Sequence, residues 1–249
     1  MVSRTAVVAL VSSLLSTPAV MAQDRPAQDG EQPTEATAEQ HPPPATSTNW
    51  KGVVAGSLGL LSLQHSTRIA FQDWTRDELG GPFFRDWMHS LRMPKTWGDG
   101  DPWTANYLGH SIEGAAFGFI WLENQHAPHE PAIGFSKAYW ASRSRAAAWS
   151  AVYSLQFEFG PLSEASIGNV GLRPEKTGWV DHVVTPAGGL ALMVAEDALD
   201  RYVITKVDRL TTSGFVRAVV RVALNPSRAL SAAAQGRAPW ARVNRRPER

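Results

Sequence analysis

The amino-acid sequence predicts an all-α protein whose helices form a multi-helix bundle. From Trp50 onward, apolar residues recur with helical spacing between breaks rich in Gly and Pro, and no useful length of chain alternates with the two-residue period of a strand. Of the 249 residues, 43% are hydrophobic and 19% are charged. This composition provides enough apolar surface for one sizeable core and excludes a wholly disordered chain.

Composition and charge also exclude several classes of function. The chain has no cysteine, so disulfide frameworks, thiolate metal sites and cysteine nucleophiles are excluded. Its 24 Lys and Arg residues nearly balance its 23 Asp and Glu residues, which argues against a dedicated nucleic-acid binder. We therefore predict no nucleic-acid partner and assign no cofactor.

Residues 1–22 have the pattern of a secretory signal peptide. Arg4 supplies a positive charge, an apolar run extends from Thr5 to Leu15, and Ala22 ends a cleavage site of the small-residue type. The apolar run is too short for a membrane span, which needs about 20 residues. We therefore expect an exported protein, located in the periplasm or associated with the outer membrane.

The two ends of the mature chain differ in charge. Residues 23–48 contain five prolines and five acidic residues with no aromatic residue, which predicts a disordered, Pro-rich acidic spacer. Residues 237–249 contain five arginines and one Glu, which predicts a basic tail. Anionic lipid or lipopolysaccharide phosphates would attract such a tail with about 1 kcal/mol per charge; a solvated tail is the alternative. The helical domain would then span residues 49–236.

Residues that break helices separate the predicted helices from one another. Gly80, Gly81 and Pro82 form one break, and Gly160 with Pro161 forms another. Thr185 and Pro186 are expected to open a helix, because Thr caps and Pro is favoured at the first helical position. The predicted helices span residues 51–68, 83–92, 103–124, 135–159, 185–205 and 207–224, with irregular chain at 93–102 and 162–181.

Whether this bundle lies in a membrane is left open by the sequence. Gly52 with Gly56 and Gly114 with Gly118 have the small-xxx-small spacing that permits close helix packing in bilayers, and ten tryptophans could populate an interface. Past residue 22, however, no stretch of about 18 apolar residues lacks a charge or a His. A water-soluble or surface-associated bundle is therefore favoured over a spanning one.

A polar face on the helix predicted over residues 103–124 could carry chemistry. Asn106, His110, Glu113 and Phe117 are spaced so that they share one side of that helix. His110 and Glu113 are three residues apart, so both side chains can reach one point. Such a pair could bind a metal ion or act as a general base, although a His hydrogen-bonded within a core is the more frequent outcome.

Glu158 is the third candidate catalytic residue. It lies at the last turn of its predicted helix, where the helix dipole disfavours a carboxylate. A compensating partner is therefore expected, and His110 and Arg145 are the available side chains. A frayed, solvated helix end is the alternative.

Asp181, His182, Thr185 and Glu196 are candidate ligand-binding residues. Asp181 and His182 come just before the predicted helix start at Thr185, where free N–H groups favour anions. Glu196 falls on the apolar stripe of the same helix, so a buried Glu196 would need a partner. Asp197 and Arg201, in contrast, have the spacing of an ordinary surface ion pair.

Several motifs resemble those of a family of exported bacterial envelope proteins, which is known as a domain of unknown function. The matching stretches are Asn106-Tyr107-Leu108-Gly109-His110 with Glu113-Gly114-Ala115, Phe157-Glu158, Glu164, Ser166-Ile167-Gly168-Asn169, and Thr185-Pro186-Ala187-Gly188-Gly189 with Glu196. The resemblance covers about residues 103–203. It implies a helical envelope protein in which His110, Glu158 and the Thr185-Pro186 turn lie together, and it implies no known reaction.

This chain departs from the family pattern at three of these positions. Ser111 stands where the family has Pro, Phe157 where it has Trp, and Asn169 where it has Asp. An Asn cannot act as a base, so a catalytic role does not carry over to position 169.

The leading hypothesis for function is therefore non-catalytic. The polar residues would fix helix packing, while the protein contacts a membrane surface or envelope proteins. An enzyme is the first alternative, either a metal-assisted hydrolase or a His/Glu-dependent hydrolase acting on an envelope substrate. A binder of lipid or of a small ligand is the second alternative. No hydrolase, metalloprotease or phosphate-loop motif occurs in the chain to favour one of them.

Overall fold

Helices account for most of the chain that the structure describes. The structure is a computed structural model, and it describes residues 47–91, 96–126, 131–163, 166–167 and 178–242. The predicted signal peptide (1–22) and nearly all of the predicted spacer (23–48) lie outside these ranges, as do Glu164, Asn169 and the last seven residues of the predicted tail.

The elements follow one another along the chain as short and long helices with one small strand pair. The helices are α1 (Trp50–Phe71), α2 (Asp73–Glu78), α3 (Phe83–Ser90), α4 (His110–Glu123), α5 (Lys137–Phe159), α6 (Trp179–Leu199), α7 (Thr205–Leu210), α8 (Gly214–Leu224) and α9 (Pro226–Ala234). A π-helical turn, Thr104–Gly109, precedes α4, and a second one, Asp200–Ile204, follows α6. The strands β1 (Ser47–Thr48) and β2 (Gln125–His126) pair antiparallel and tie the start of α1 to the end of α4.

Helices α4, α5 and α6 pack against one another at the centre, and α1 and α9 cover α4. Helix α4 is buried from Gly114 to Ile120, because this stretch is small or apolar on all sides. One core cluster joins α1, α4 and α5 around Leu60, Phe117 and Tyr153. Another joins α4, α5 and α6 around Phe119, Ala146 and Met193.

The crossing of α4 and α6 depends on glycine. A Cβ atom on Gly114 would lie 1.9 Å from the carbonyl oxygen of Thr185, and one on Gly189 would lie 2.7 Å from the carbonyl carbon of Gly114. No side chain fits at either position, so the two backbones come into direct contact. This close approach brings the side chains on either side of the crossing together.

The all-α prediction is confirmed. The helices predicted over residues 51–68, 83–92 and 135–159 are present with ends that differ by a few residues. The helix predicted over 103–124 is also present, but its first turn is a π-helix rather than an α-helix.

The predicted start of the fourth long helix is wrong. Helix α6 begins at Trp179 rather than at Thr185, and Pro186 lies inside it. The reason is a cap made by distant backbone: the N–H groups of Trp179 and Val180 donate to the carbonyl oxygens of Thr96 and Trp97 at 3.0 and 2.9 Å. Asp181 and His182 consequently lie in the first turn of the helix.

The prediction of a single helix over residues 207–224 is also wrong, because the structure has two helices in this range. Helix α7 ends at Leu210, and α8 starts after Ser213, whose hydroxyl accepts a hydrogen bond from the N–H of Val216. Helix α9, which no pattern predicted, follows at once, with Pro226 at its first position.

The first part of the predicted basic tail is bound to the domain. Arg237 forms an ion pair with Glu123, and Arg242 forms one with Asp200. The folded domain therefore extends beyond Gly236 to at least residue 242. Within the described ranges, none of the helices combines the length and the apolar character that a bilayer crossing requires.

Candidate functional site

His110 is the centre of a polar cluster between α4 and α6. Its Nε2 lies 3.1 Å from Oδ1 of Asp181, and its Nδ1 lies 3.3 Å from the hydroxyl of Thr185. Glu113 is farther away, with its Oε2 3.8 Å from Nδ1. The approach of Nε2 to Asp181 is at ion-pair distance, and Nδ1 shares a hydrogen bond with the hydroxyl of Thr185, so both ring nitrogens face side chains of the same protein.

The helix crossing explains why these residues meet. His110 lies one turn before Gly114 on α4, and Thr185 lies one turn before Gly189 on α6. Helix α5 closes the third side: Ser150 donates to the carbonyl oxygen of Thr185 at 3.4 Å, and Ser154 donates to that of Asp181 at 3.2 Å. The cluster is thus built where three helices converge.

Asp99 belongs to the same cluster, although sequence reasoning placed it in a plain loop. Its Oδ1 accepts hydrogen bonds from Asn106 at 2.7 Å and from the N–H of Asp101 at 3.0 Å. Burial alone would raise the pKa of the Asp99 carboxyl, but these donors and a hydrogen bond with Asp181 hold that pKa below its usual value. The sequence contained one relevant signal for Asp99. Asn106, which donates a hydrogen bond to Asp99, shares a helix face with His110.

His182 lies beside the cluster in a less polar environment. Its ring stacks on Phe159 at 4.9 Å and meets Trp179 edge-on at 5.7 Å. Burial, together with the charge of His110, lowers the pKa of His182. The Nδ1 atom is buried, and no described residue hydrogen-bonds to it. His182 is therefore suited to the neutral form at neutral pH.

Glu158 lies at the edge of the cluster. It follows Ser150 and Ser154 on one face of α5 with a spacing of four residues, so it is level with the first turn of α6. Of the two candidate partners named from the sequence, Arg145 is too far away, because thirteen residues of helix separate it from Glu158 by about 20 Å. The side chain is half-buried.

Glu196, the fourth candidate ligand-binding residue, lies apart from the cluster. It is eleven residues beyond Thr185 on α6, about 16 Å along the axis. Its side chain is fully buried and caps α9, accepting from the N–H of Ser227 at 2.8 Å and of Arg228 at 3.2 Å. Burial raises the pKa of Glu196, and these hydrogen bonds offset only part of that rise.

Asp197, which the sequence assigned to a surface pair with Arg201, is buried in an ion-pair network. Its carboxylate accepts from Arg143 at 2.8 Å and from the hydroxyl of Tyr139 at 2.9 Å, and it also pairs with Arg228. Burial alone would raise the pKa of Asp197, but Arg228 and Arg143 hold it below its usual value. Arg201 instead contacts the carbonyl oxygen of Ile133.

The protein is therefore all-α, and its candidate site is an Asp–His–Thr cluster between helices. A carboxylate beside an imidazole is able to orient a general base, but here both ring nitrogens face side chains of the protein, namely Asp181 and Thr185. No three His, Asp or Glu side chains in the described ranges are placed to hold a metal ion together. Comparison of the chain with models of protein families, with curated proteins and with solved structures finds no match.

Proposed function

We propose that this protein is a non-catalytic, exported helical protein of the cell envelope that attaches to a membrane surface. Attachment is through an apolar patch at the junction of α7 and α8, which consists of Leu210, Phe215, Val219 and Val222. The polar cluster around His110 serves to hold α4, α5 and α6 in place. The predicted leader and the resemblance to exported envelope proteins support the location.

The exposure of the apolar patch is the observation that carries the proposal. Leu210 is 86% exposed and Phe215 is 78% exposed. Phe215, Val219 and Val222 recur at i, i+4 and i+7, so they form one stripe along α8. A contiguous exposed stripe of this kind is typical of a surface that binds a partner or a membrane.

The arginines of α8 turn away from this stripe and bind the protein itself. Arg217 donates through Nε to the carbonyl oxygen of Thr211 at 2.9 Å, and Arg221 donates to Asp208 at 2.9 Å. The helix therefore has a polar side fixed to the domain and an apolar side in contact with solvent. An amphipathic helix in this orientation can lie in the plane of a membrane interface with its apolar side buried.

The charge around the patch favours an anionic membrane. Between residues 201 and 242 the chain has eight Arg and Lys residues and one acidic residue, Asp208, and four of the arginines (Arg221, Arg228, Arg237 and Arg242) are paired with carboxylates. Lys206 and Arg209 on α7 are exposed next to Leu210. Anionic headgroups attract each such charge by about 1 kcal/mol at the surface.

Vesicle sedimentation tests the proposal. We expect the protein to sediment with phosphatidylglycerol vesicles and much less with phosphatidylcholine vesicles. The double substitution Phe215→Ser and Val219→Ser should weaken sedimentation at least tenfold, because each buried side chain contributes about 1.5–3 kcal/mol.

A matched control is available on α5. Val152 and Leu155 are 55% and 52% exposed but lie outside the patch. Replacing both with Ser should leave vesicle binding unchanged. Equal losses in the two double variants, or no binding by the unaltered protein, would contradict attachment through the patch.

A hydrolase is the second candidate, favoured by the 3.1 Å contact between His110 and Asp181. Exposed aromatic side chains lie near the cluster: Trp103 stacks on Tyr107, and Trp97 donates to the hydroxyl of Tyr107 at 3.0 Å. Such rings could bind an amphiphilic substrate. Turnover of an ester substrate that His110→Gln abolishes without lowering stability would favour the hydrolase over the non-catalytic function.

A further inference from the structure

A small pocket lies where α8, α9, the end of α4 and residues 239–242 meet. Three arginines line it, namely Arg221 of α8, Arg228 of α9 and Arg242 of the C-terminal segment, together with Trp240 and Asn225. Three guanidinium groups around one pocket are an unusual concentration of positive charge. Burial, together with the charges of Arg221 and Arg228, lowers the pKa of Arg242 to about 10.

Each of these arginines is held by a carboxylate that does not line the pocket. Arg221 pairs with Asp208 at 2.9 Å, and two further ion pairs join Arg228 to Asp197 and Arg242 to Asp200. None of these three carboxylates is among the described residues that line the pocket. The pairs fix the positions of the arginines and leave the positive groups at the pocket wall.

Each of the three arginines has one nitrogen that lacks a hydrogen-bond acceptor among the described residues. The Nε of Arg221, the Nε of Arg228 and one terminal nitrogen of Arg242 are buried, and no described residue accepts a hydrogen bond from them. An arginine has five N–H donors in a planar fork, and its carboxylate uses only some of them. Buried donors without acceptors are costly, and an anion in the pocket would satisfy them.

The one carboxylate at the pocket wall, among the described residues, is already neutralised. Glu123 lines the pocket, but its Oε2 pairs with Arg237 and accepts from Gln235 at 2.9 Å. Arg237 itself does not line the pocket. The groups that face a ligand are therefore the three arginines, whose own carboxylates lie outside the pocket lining.

We propose that this pocket binds a phosphate group through Arg221, Arg228 and Arg242. Several guanidinium forks that converge on one point match the tetrahedral oxygens of a phosphate, which accepts paired, charge-assisted hydrogen bonds. The ligand class is a phosphate monoester or diester, either free or as the headgroup of a lipid.

The position of the pocket on α8 connects it with the apolar patch. Arg221 is adjacent in sequence to Val222, so a phosphate in the pocket lies within about one helix diameter, 10–12 Å, of the patch. A lipid with its headgroup in the pocket could cover the patch with its acyl chains. The inference that the phosphate belongs to a lipid headgroup rests on the proposed membrane attachment. The inference that the pocket binds phosphate does not.

Calorimetric titration with inorganic phosphate tests the pocket directly. We expect the unaltered protein to bind phosphate, and Arg242→Lys to weaken binding at least tenfold. Lysine keeps the charge and the pairing with Asp200 but loses the fork of donors. The matched control is Arg237→Lys, which makes the same exchange in the neighbouring ion pair with Glu123 and should leave phosphate affinity unchanged.

A second variant keeps the result interpretable if Arg242→Lys is unstable. Ala241 lines the pocket and is half-buried, so Ala241→Phe should obstruct the pocket while every charge remains. It too should lose phosphate binding. No phosphate binding by the unaltered protein, or an undiminished phosphate affinity in both variants, would overturn the proposal.

Vesicles distinguish the two sources of phosphate. If the ligand is a lipid headgroup, Arg242→Lys and Ala241→Phe should also lower sedimentation with phosphatidylglycerol vesicles. If both variants lose inorganic phosphate but sediment normally, the pocket holds a free phosphate compound and the site is still supported. Failure of the proposed membrane attachment can be distinguished from failure of the phosphate site. The first is tested with the double variant Phe215→Ser and Val219→Ser, which leaves the pocket arginines intact.

Discussion

At the scale of single residues, the role of an ionisable side chain is set by the groups that face it. His110 has a carboxylate 3.1 Å from one ring nitrogen and a hydroxyl 3.3 Å from the other, so both nitrogens face groups of the protein itself. Glu196, a candidate ligand-binding residue that was expected to need a partner if buried, caps a helix that the sequence did not predict. In both cases the partner comes from a distant segment of the chain.

Asp197 is expected to be essential for stability. Its carboxylate is buried and neutralises Arg143 and Arg228, so Asp197→Ala leaves two buried cations without their partner. Breaking a buried ion pair in this way costs about 3–5 kcal/mol. Asp73, which is 82% exposed and pairs with Arg76, is the control, and Asp73→Ala should cost less than about 1 kcal/mol. Urea denaturation of both variants measures the difference, and equal losses would refute the assignment.

His182 should make the protein less stable in mild acid. Its pKa is lowered in the folded state, so as pH falls through about 6.5 the unfolded chain takes up the proton first. The contribution of His182 to the free energy of unfolding is therefore complete above pH 6.5. It declines as the pH falls towards the pKa of His182 in the folded state. His65, whose pKa is also lowered by burial, acts in the same direction.

The substitution His182→Phe should reduce this pH dependence. Phe keeps a ring against Phe159 but does not titrate, so the fall in the free energy of unfolding between about pH 7.5 and about pH 5.5 should become smaller. His126 is exposed, and His126→Phe serves as the control that leaves the slope as it is. An unchanged slope in His182→Phe would show that this group does not contribute.

At the scale of elements, local patterns predict helices well where the helix ends are also local. Helix α1 was predicted because apolar residues recur at helical spacing, and α5 because Gly160 and Pro161 end it. Helix α6 was misplaced because its first N–H groups are bound by the backbone of Thr96 and Trp97, about 80 residues earlier in the chain. No local pattern contains that information.

The candidate site was predicted in part for the same reason. The spacing of His110 and Glu113 on one helix face is local, and the structure places them 3.8 Å apart. Asp181 and Thr185 were identified as polar groups near a helix start, but their contacts with His110 depend on the crossing of two helices. Asp99 was missed because nothing in its loop indicates the helix against which it packs.

The crossing of α4 and α6 should tolerate no side chain at Gly114. A Cβ atom there would lie 1.9 Å from a backbone oxygen that cannot move independently, so Gly114→Ala should cost about 2–3 kcal/mol. A Cβ atom on Gly214 of α8 would have no described neighbour within 4 Å, so Gly214→Ala should be neutral or stabilising by up to about 1 kcal/mol. Thermal unfolding distinguishes them, and a stable Gly114→Ala would contradict the contact.

At the scale of the whole molecule, two regions differ in character. The polar cluster lies where α4, α5 and α6 converge, and its side chains contact one another and the backbone of α6. The segment from residue 201 to 242 is strongly basic and exposes the apolar patch. This difference is the basis on which we propose packing for the first region and attachment for the second.

The measurement that tests this division most directly is a double-mutant cycle on His110 and Asp181. If the cluster serves packing, His110→Ala and Asp181→Ala should each lower the free energy of unfolding by about 1–3 kcal/mol. The double variant should lose less than the sum of the two, with a coupling energy of about 1–2 kcal/mol. Single variants as stable as the unaltered protein, with no coupling between the two positions, would contradict a packing role for the cluster.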